Sequence, residues 1–319
     1  MNAKLTWWGA GCMQFDLGDR RLVVDPYMHP RDTDVDYVCI THDHYDHLYP
    51  ETLEALTGRD AFKRLMVPRS AAEYPQIDSP IWEKGAGGLG FVPEEKLTVM
   101  YPKYARDPGR SYEDEGVGEL ELEGITVETI DSGERPWRAK GPEGGTWPAA
   151  TGRFLGHGEY PNLGYVINDH QTDLTFYATG DLGEVFDAQR QLRGRIDYMF
   201  MPIVKLEGIE LSLIRSVQPR YVVPVHYRVN TPEYPVPLSV SAADVPTTNI
   251  GFGGPRAGAD PDIYRMHLQR KIAGHWIPTS DPPLDRIQSL ESRIRRAGSE
   301  LLLVEAGRTY EVPSNQLVA

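Results

Sequence analysis

Short apolar runs separated by turn residues dominate the first forty positions of the chain. Residues 3–8, residues 12–17 and Arg21–Val24 read as three strands, the last ending at Asp25-Pro26. Val35–Ile40 is a fourth β-rich run, and it leads straight into Thr41-His42-Asp43-His44-Tyr45-Asp46-His47. The spacing then changes. Thr52 or Leu53, Leu56, Phe62 and Leu65 recur roughly three to four apart behind Pro50, which predicts a helix over 50–65. Residues 119–130 alternate around Gly124 and predict a hairpin. Leu163–Asn168 and Leu174–Ala178 predict two strands joined by a turn at Asn168-Asp169-His170. Asp197–Val204 reads as a strand, Glu207–Gln218 as a helix, and Tyr221–Val225 as a buried strand ending at His226. Asp281 caps a further helix whose apolar stripe is Leu284, Ile287, Leu290 and Ile294 and which Gly298 ends. Leu301–Val304 and Thr309–Val312 close the chain as strands. Several strands precede a helix in each half, which favours layered α/β architecture with packed sheets in one domain, 1–319. The stretches 66–118 and 231–283 read as irregular excursions long enough to act as lids or walls, and 131–161 also reads as loop.

Composition narrows the classes. The 319 residues suffice for a large buried core, and 40% hydrophobic with 25% charged residues is ordinary globular usage. Acids outnumber Lys plus Arg by 46 to 33, and a net charge of −13 disfavours nucleic-acid backbone and anionic lipid as partners. The 31 Gly and 26 Pro fit long irregular loops. Two cysteines, Cys12 and Cys39, supply neither a disulfide framework nor a thiolate zinc site. No apolar run is long enough for a membrane span, and the N-terminus turns polar and acidic too early for a secretory signal. A cytoplasmic setting is the expectation.

Nine histidines are present, and three of them, His42, His44 and His47, fall within six residues. At the end of an extended strand, side chains two apart point the same way. His42 and His44 therefore share a face, and Asp46 and His47 follow in the next turn. Imidazole and carboxylate suit zinc, and they also suit manganese or iron.

His42-Asp43-His44-Tyr45-Asp46-His47 resembles the His-x-His-x-Asp-His motif of the metallo-β-lactamase superfamily. Trp8–Gly11 followed by Leu22–Pro26 resembles the family's opening strands, Ala178–Gly183 its Gly-Asp-Thr-Gly segment, and Pro224–Tyr227 its last metal histidine. Ala297-Gly298, Glu305–Gly307 and Tyr310–Val312 resemble the branch that includes ascorbate-6-phosphate lactonase and the phospholipase D acting on N-acyl-phosphatidylethanolamine. The resemblance implies a four-layer αββα sandwich of two mixed β-sheets with metals at one edge. It implies two divalent ions, zinc first, with manganese or iron as alternatives. His42 and His44 would hold the first ion, Asp46, His47 and His226 the second, and Asp181 would bridge them. The chain departs from the pattern at the third histidine of the first ion, because Asp131-Ser132-Gly133-Glu134 follows the expected strand. His157 is the candidate, with Asp131 and Glu134 as rivals. Asp25 reads as a supporting residue and Cys39 as a core residue. His29 and His170 read as surface positions, and His267 and His275 read as positions of the second excursion, with reach to the substrate as the alternative.

The resulting expectation is a hydrolase that uses a hydroxide activated between two ions on a small ester, lactone or phosphodiester, with Asp46 or Asp181 handling the proton. The competing expectations are an iron-dependent, dioxygenase-type oxidoreductase and a non-catalytic metal-binding protein. Trp137 and Arg138, Lys205, Tyr227 and Arg228 are candidate contacts for a small-molecule substrate, although a solvated basic loop explains Arg138 equally well.

Overall fold

The computed structural model describes residues 2–9, 11–42, 47–48, 50–73, 89–105, 116–132, 161–182, 185–202, 209–225, 269–272, 275–278, 291–304, 307–312 and 316–317. In chain order the strands begin with β1 (Ala3–Gly9), β2 (Cys12–Leu17), β3 (Arg20–Val24), β4 (Tyr37–Cys39), β5 (Arg64–Pro68) and β6 (Leu97–Met100). They continue with β7 (Glu119–Leu122), β8 (Ile125–Asp131), β9 (Leu163–Asp169), β10 (Leu174–Ala178), β11 (Tyr198–Pro202) and β12 (Tyr221–Val225). Last come the isolated hairpin β13 (Gln269–Ile272) and β14 (His275–Pro278), then β15 (Glu300–Leu301), β16 (Thr309–Val312) and β17 (Gln316–Leu317). The helices are α1 (Pro50–Thr57), α2 (Arg69–Glu73), α3 (Ile209–Val217) and α4 (Glu291–Arg296).

These elements build two mixed sheets. The first runs β17-β16-β1-β2-β3-β4-β5-β6, antiparallel up to β3 and parallel from β3 to β6. The second runs β15-β12-β11-β10-β9-β8-β7, parallel from β15 to β10 and antiparallel beyond. The sheets pack face to face. Leu5, Trp7, Phe15, Leu22 and Cys39 of the first share one core with Val127, Tyr165, Phe176, Phe200 and Val223 of the second. At its centre the Phe15 ring lies 5.1 Å from that of Phe176 and 5.3 Å from that of Phe200. The opposite face of the first sheet buries Val23, Val38 and Leu65 with Leu53 and Leu56 of α1. The opposite face of the second buries Val166, Met199 and Val222 with Leu213 and Ile214 of α3 and Ile294 of α4. Helix, sheet, sheet, helix is the expected αββα sandwich.

Several local expectations change. The helix predicted over 50–65 stops at Thr57, where Gly58 N donates to Glu54 O. Leu65 belongs to β5, a central parallel strand whose Met66 faces the inter-sheet core while Leu65 and Val67 face the helices. Apolar residues on both faces erase the period-2 signal and mimic a helical one. The stretch 66–118, expected to be irregular, supplies most of β5, all of α2 and the edge strand β6. Within 231–283, the described residues form the hairpin β13–β14. The expected strand Leu301–Val304 shortens to β15, and the strand expected over Asp197–Val204 is described as Tyr198–Pro202. Gly298, with φ 94°, ends α4 as expected, while residues 279–290 ahead of α4 lie outside the described residues. The hairpin around Gly124 (φ 78°) and the β9–β10 turn form where expected.

Candidate metal centre

Parallel strands bring their carboxyl ends to one edge, and that edge is where an open α/β sheet receives ligands. Val24 of β3 pairs with Cys39 of β4, so Asp25 and Thr41 emerge together from the first sheet. In the second sheet Ala178 of β10 pairs with Phe200 of β11, and Pro202 of β11 with Val225 of β12. Thr179, Gly180 and Asp181 therefore emerge beside the ends of β11 and β12. The two edges are stitched together. Leu163 N donates to Thr41 O at 2.9 Å, and the Tyr165 hydroxyl donates to Ile40 O at 2.8 Å.

Three donors converge at this junction. His42 Nε2 lies 3.7 Å from Asp181 Oδ2, and His47 Nε2 lies 3.5 Å from Asp181 Oδ1. One ligand atom from each of the three residues fits within 4.8 Å of the others. The two imidazoles sit 4.0 Å apart between centroids, and both are buried, whereas the Asp181 side chain keeps 19% exposure. The histidine Nδ1 atoms are engaged elsewhere. His47 Nδ1 lies 2.7 Å from Asp25 Oδ2, and His42 Nδ1 lies 2.9 Å from Thr41 Oγ1. Asp25 also accepts hydrogen bonds from Thr41 N at 2.8 Å and from Thr41 Oγ1 at 2.7 Å. With Nδ1 occupied, each ring offers Nε2 to the junction, the arrangement that suits a metal-ligating histidine. Two neutral imidazoles and a carboxylate are the donor types that zinc or iron takes.

Backbone geometry makes room for this cluster. Asp25 adopts a left-handed conformation, φ 50° and ψ 70°, uncommon outside glycine and tolerated best by Asp and Asn. Gly11 passes so close that a Cβ there would stand 3.0 Å from His47 Cε1. Beneath the cluster a cavity of about 10 Å³, lined by Asp25, His47, Thr179, Gly180, Phe200 and Val225, has space for about one water.

The structure thus brings His42, His47 and Asp181 together. Asp131, a rival for the third histidine, is buried at the end of β8 but is not one of the converging donors among the described residues. His44, Asp46, Glu134, His157, His226, Trp137, Arg138, Lys205, Tyr227 and Arg228 lie outside the described residues. Asp25 is a supporting residue as expected, Cys39 is a buried core thiol whose pKa burial pushes up, and His170 is exposed. His29 is corrected. Expected at the surface, it is fully buried, with Nε2 2.9 Å from Gln14 Oε1 and its ring edge-on to Trp8. Thr41 was the residue missed. Its only signal in the sequence is a hydroxyl beside a candidate ligand, at the end of the strand next to Asp25.

Over 98% of both chains the fold is similar to a metallo hydrolase from the hyperthermophilic archaeon Ignicoccus hospitalis, at 15% identity and a TM-score of 0.50. It is also similar to CmlA, a diiron β-hydroxylase from Streptomyces venezuelae, at 12% identity and a TM-score of 0.54, over 98% of this chain and 54% of that one. None of the curated proteins matches the sequence. The family described as the Beta-lactamase superfamily domain matches residues 4–226, well over half of the chain. With the two packed mixed sheets and the donors gathered at their shared edge, that match establishes that this chain belongs to the metallo-β-lactamase superfamily.

Proposed function

We propose that the protein is a metal-dependent hydrolase of a small ester, lactone or phosphodiester, working with two divalent ions, zinc in the first instance. The observation that carries this reading is the convergence of His42 Nε2, His47 Nε2 and the Asp181 carboxylate, with both Nδ1 atoms already engaged. In this reading His44, Asp46, His157 and His226 complete the ligand set. When bound, divalent ions polarise an electrophilic oxygen and lower the pKa of water toward neutrality. The chain's own part is to hold the ligands in place and exclude bulk water behind them, which the buried rings of His42 and His47 do. Asp181, with its partial exposure, stands where a carboxylate can take up a proton from the reacting side, and Asp46 is its partner in that role. Lys205, Tyr227, Arg228, Trp137 and Arg138 are the proposed substrate contacts.

The net charge of −13 supports a small substrate over nucleic acid, and no helix among the described residues is long and apolar enough to cross a membrane. Two buried thiols, Cys12 and Cys39, fit the proposed cytoplasmic setting. The lactonase and phospholipase D branch named by the C-terminal motifs is the proposed position within the family. An iron-dependent oxidoreductase is the second reading, because the same N/O donor set accepts iron and the fold is shared with a diiron β-hydroxylase. Metal analysis followed by an ester, lactone and phosphodiester panel decides between them. Two zinc or manganese ions per chain with turnover supports hydrolysis. Iron with oxygen uptake and no hydrolysis overturns it.

A further inference from the structure

A histidine that binds a metal through Nε2 must carry its proton on Nδ1, although the free neutral side chain favours the opposite tautomer. Something must therefore accept a hydrogen bond from Nδ1. For His47 the acceptor is the Asp25 carboxylate, at 2.7 Å. For His42 the described neighbour of Nδ1 is a hydroxyl instead. The atom beside its Nδ1 is Thr41 Oγ1, which could in principle donate or accept. Its proton is already committed, because Thr41 Oγ1 donates to Asp25 Oδ2 at 2.7 Å. The hydroxyl oxygen can then only accept, and the hydrogen on His42 must be on Nδ1. Asp25 is itself held still, with Thr41 N donating to its other oxygen at 2.8 Å and its backbone in the left-handed region.

We propose that Thr41 is a positioning residue: it relays the Asp25 carboxylate to His42, so that one buried acid presets a ligand for each of two metal ions. The inference rests on the metal reading above, in which His42 and His47 serve different ions. Asp25 acts on His47 directly and on His42 only through the Thr41 hydroxyl. Thr41 Oγ1 also lies 3.4 Å from His47 Nδ1, but that nitrogen already has the Asp25 carboxylate at 2.7 Å, so loss of the Thr41 hydroxyl should fall on the ion of His42 and loss of Asp25 on both.

Thr41→Val isolates the hydroxyl. Valine keeps the shape of a residue that is fully buried against Gly180, and both backbone bonds, Thr41 N to Asp25 and Leu163 N to Thr41 O, survive. Thr41→Ser keeps the hydroxyl and removes the methyl. Metal-free full-length protein is titrated with Zn2+ in competition with a chromophoric chelator. The expected result for Thr41→Val is one of two Zn2+ equivalents weakened about 10–100-fold, with the other at wild-type affinity. Asp25→Asn should weaken both equivalents, and Thr41→Ser should bind as wild type. Wild-type affinity in Thr41→Val overturns the inference. So does equal weakening in Thr41→Val and Thr41→Ser, which would make the residue a packing element. Nitrogen-15 NMR of the metal-free protein gives a separate readout. His42 should appear as the Nδ1–H tautomer and lose that state in Thr41→Val. An Nε2–H tautomer in the wild type overturns the relay. A wild type that binds no Zn2+ while showing Nδ1–H at His42 overturns the metal reading and leaves the relay standing.

Discussion

His29 shows how a single buried side chain ties fold stability to pH. Its ring nitrogens lie 2.9 Å from Pro30 O and from Gln14 Oε1. Burial holds its pKa down at about 4, against a weak upward pull from the Pro30 carbonyl and from Asp32 and a further downward push from Arg21. Above about pH 4 the ring is therefore neutral in the fold and donates to one of these two oxygens, while the unfolded chain takes up a proton near pH 6.5. Between those values the unfolded state binds more protons, so stability rises with pH from about 4 to about 6.5 and is fully present above that window. The contribution is about 3 kcal/mol, lost as the pH falls from 6.5 toward 4. Urea unfolding of wild type and His29→Gln across that range checks it. The wild type should show a steeper rise of stability with pH, by about one proton, and parallel slopes would exclude a neutral buried ring. This role was illegible in the sequence. A histidine between Met28 and Pro30 looks like a loop residue, and only the fold brings Trp8 and Gln14 against it. The motif from His42 to His47 was legible because several ligands lie in one local run, and local runs survive any packing.

Elements were read best where burial is one-sided. The alternation of Glu119, Leu120, Glu121 and Leu122 survives as exposed and half-buried positions of β7 at the edge of the second sheet. Reading failed where an element is covered on both faces, as in β5, or is too short to carry a period, as in β6 and β15. The site depends on contacts between elements that no local pattern encodes. The Tyr165 hydroxyl of β9 reaches across the core to Ile40 O, one residue before Thr41, with Met66 O 3.2 Å away, and burial pushes its pKa well up. Tyr165→Phe removes this cross-sheet donor and keeps the ring. Losing a buried hydrogen bond and stranding a carbonyl should cost about 1–3 kcal/mol, read as a lower urea midpoint at unchanged m-value. A second effect follows from position: freeing Ile40 loosens Thr41, so metal affinity should fall with stability. A Tyr165→Phe variant with wild-type midpoint would show that the sheets are held in register by the apolar core alone.

At the scale of the whole molecule, the candidate metal ligands are split between the sheets. His42 and His47 follow β4 of the first sheet, and Asp181 follows β10 of the second. Ions held by His42 and by His47, each together with Asp181, would tie the sheets together at the edge where the inter-sheet core ends. Ligand binding to the folded state alone stabilises by about 2.7 kcal/mol at a hundredfold excess over Kd. For a chain of this size that corresponds to a rise in Tm of about 5 °C. Thermal unfolding of metal-free protein with and without Zn2+ should show that rise. Asp181→Ala should cut it sharply, because the carboxylate that approaches both His42 and His47 from the second sheet is gone. The same variant without metal should melt within about 1 °C of the wild type, because Asp181 is partly exposed and surface-facing substitutions cost little. A Zn2+ shift of wild-type size in Asp181→Ala would show that Asp181 contributes nothing to holding the metal, and its approach to the two histidines would then be a consequence of packing.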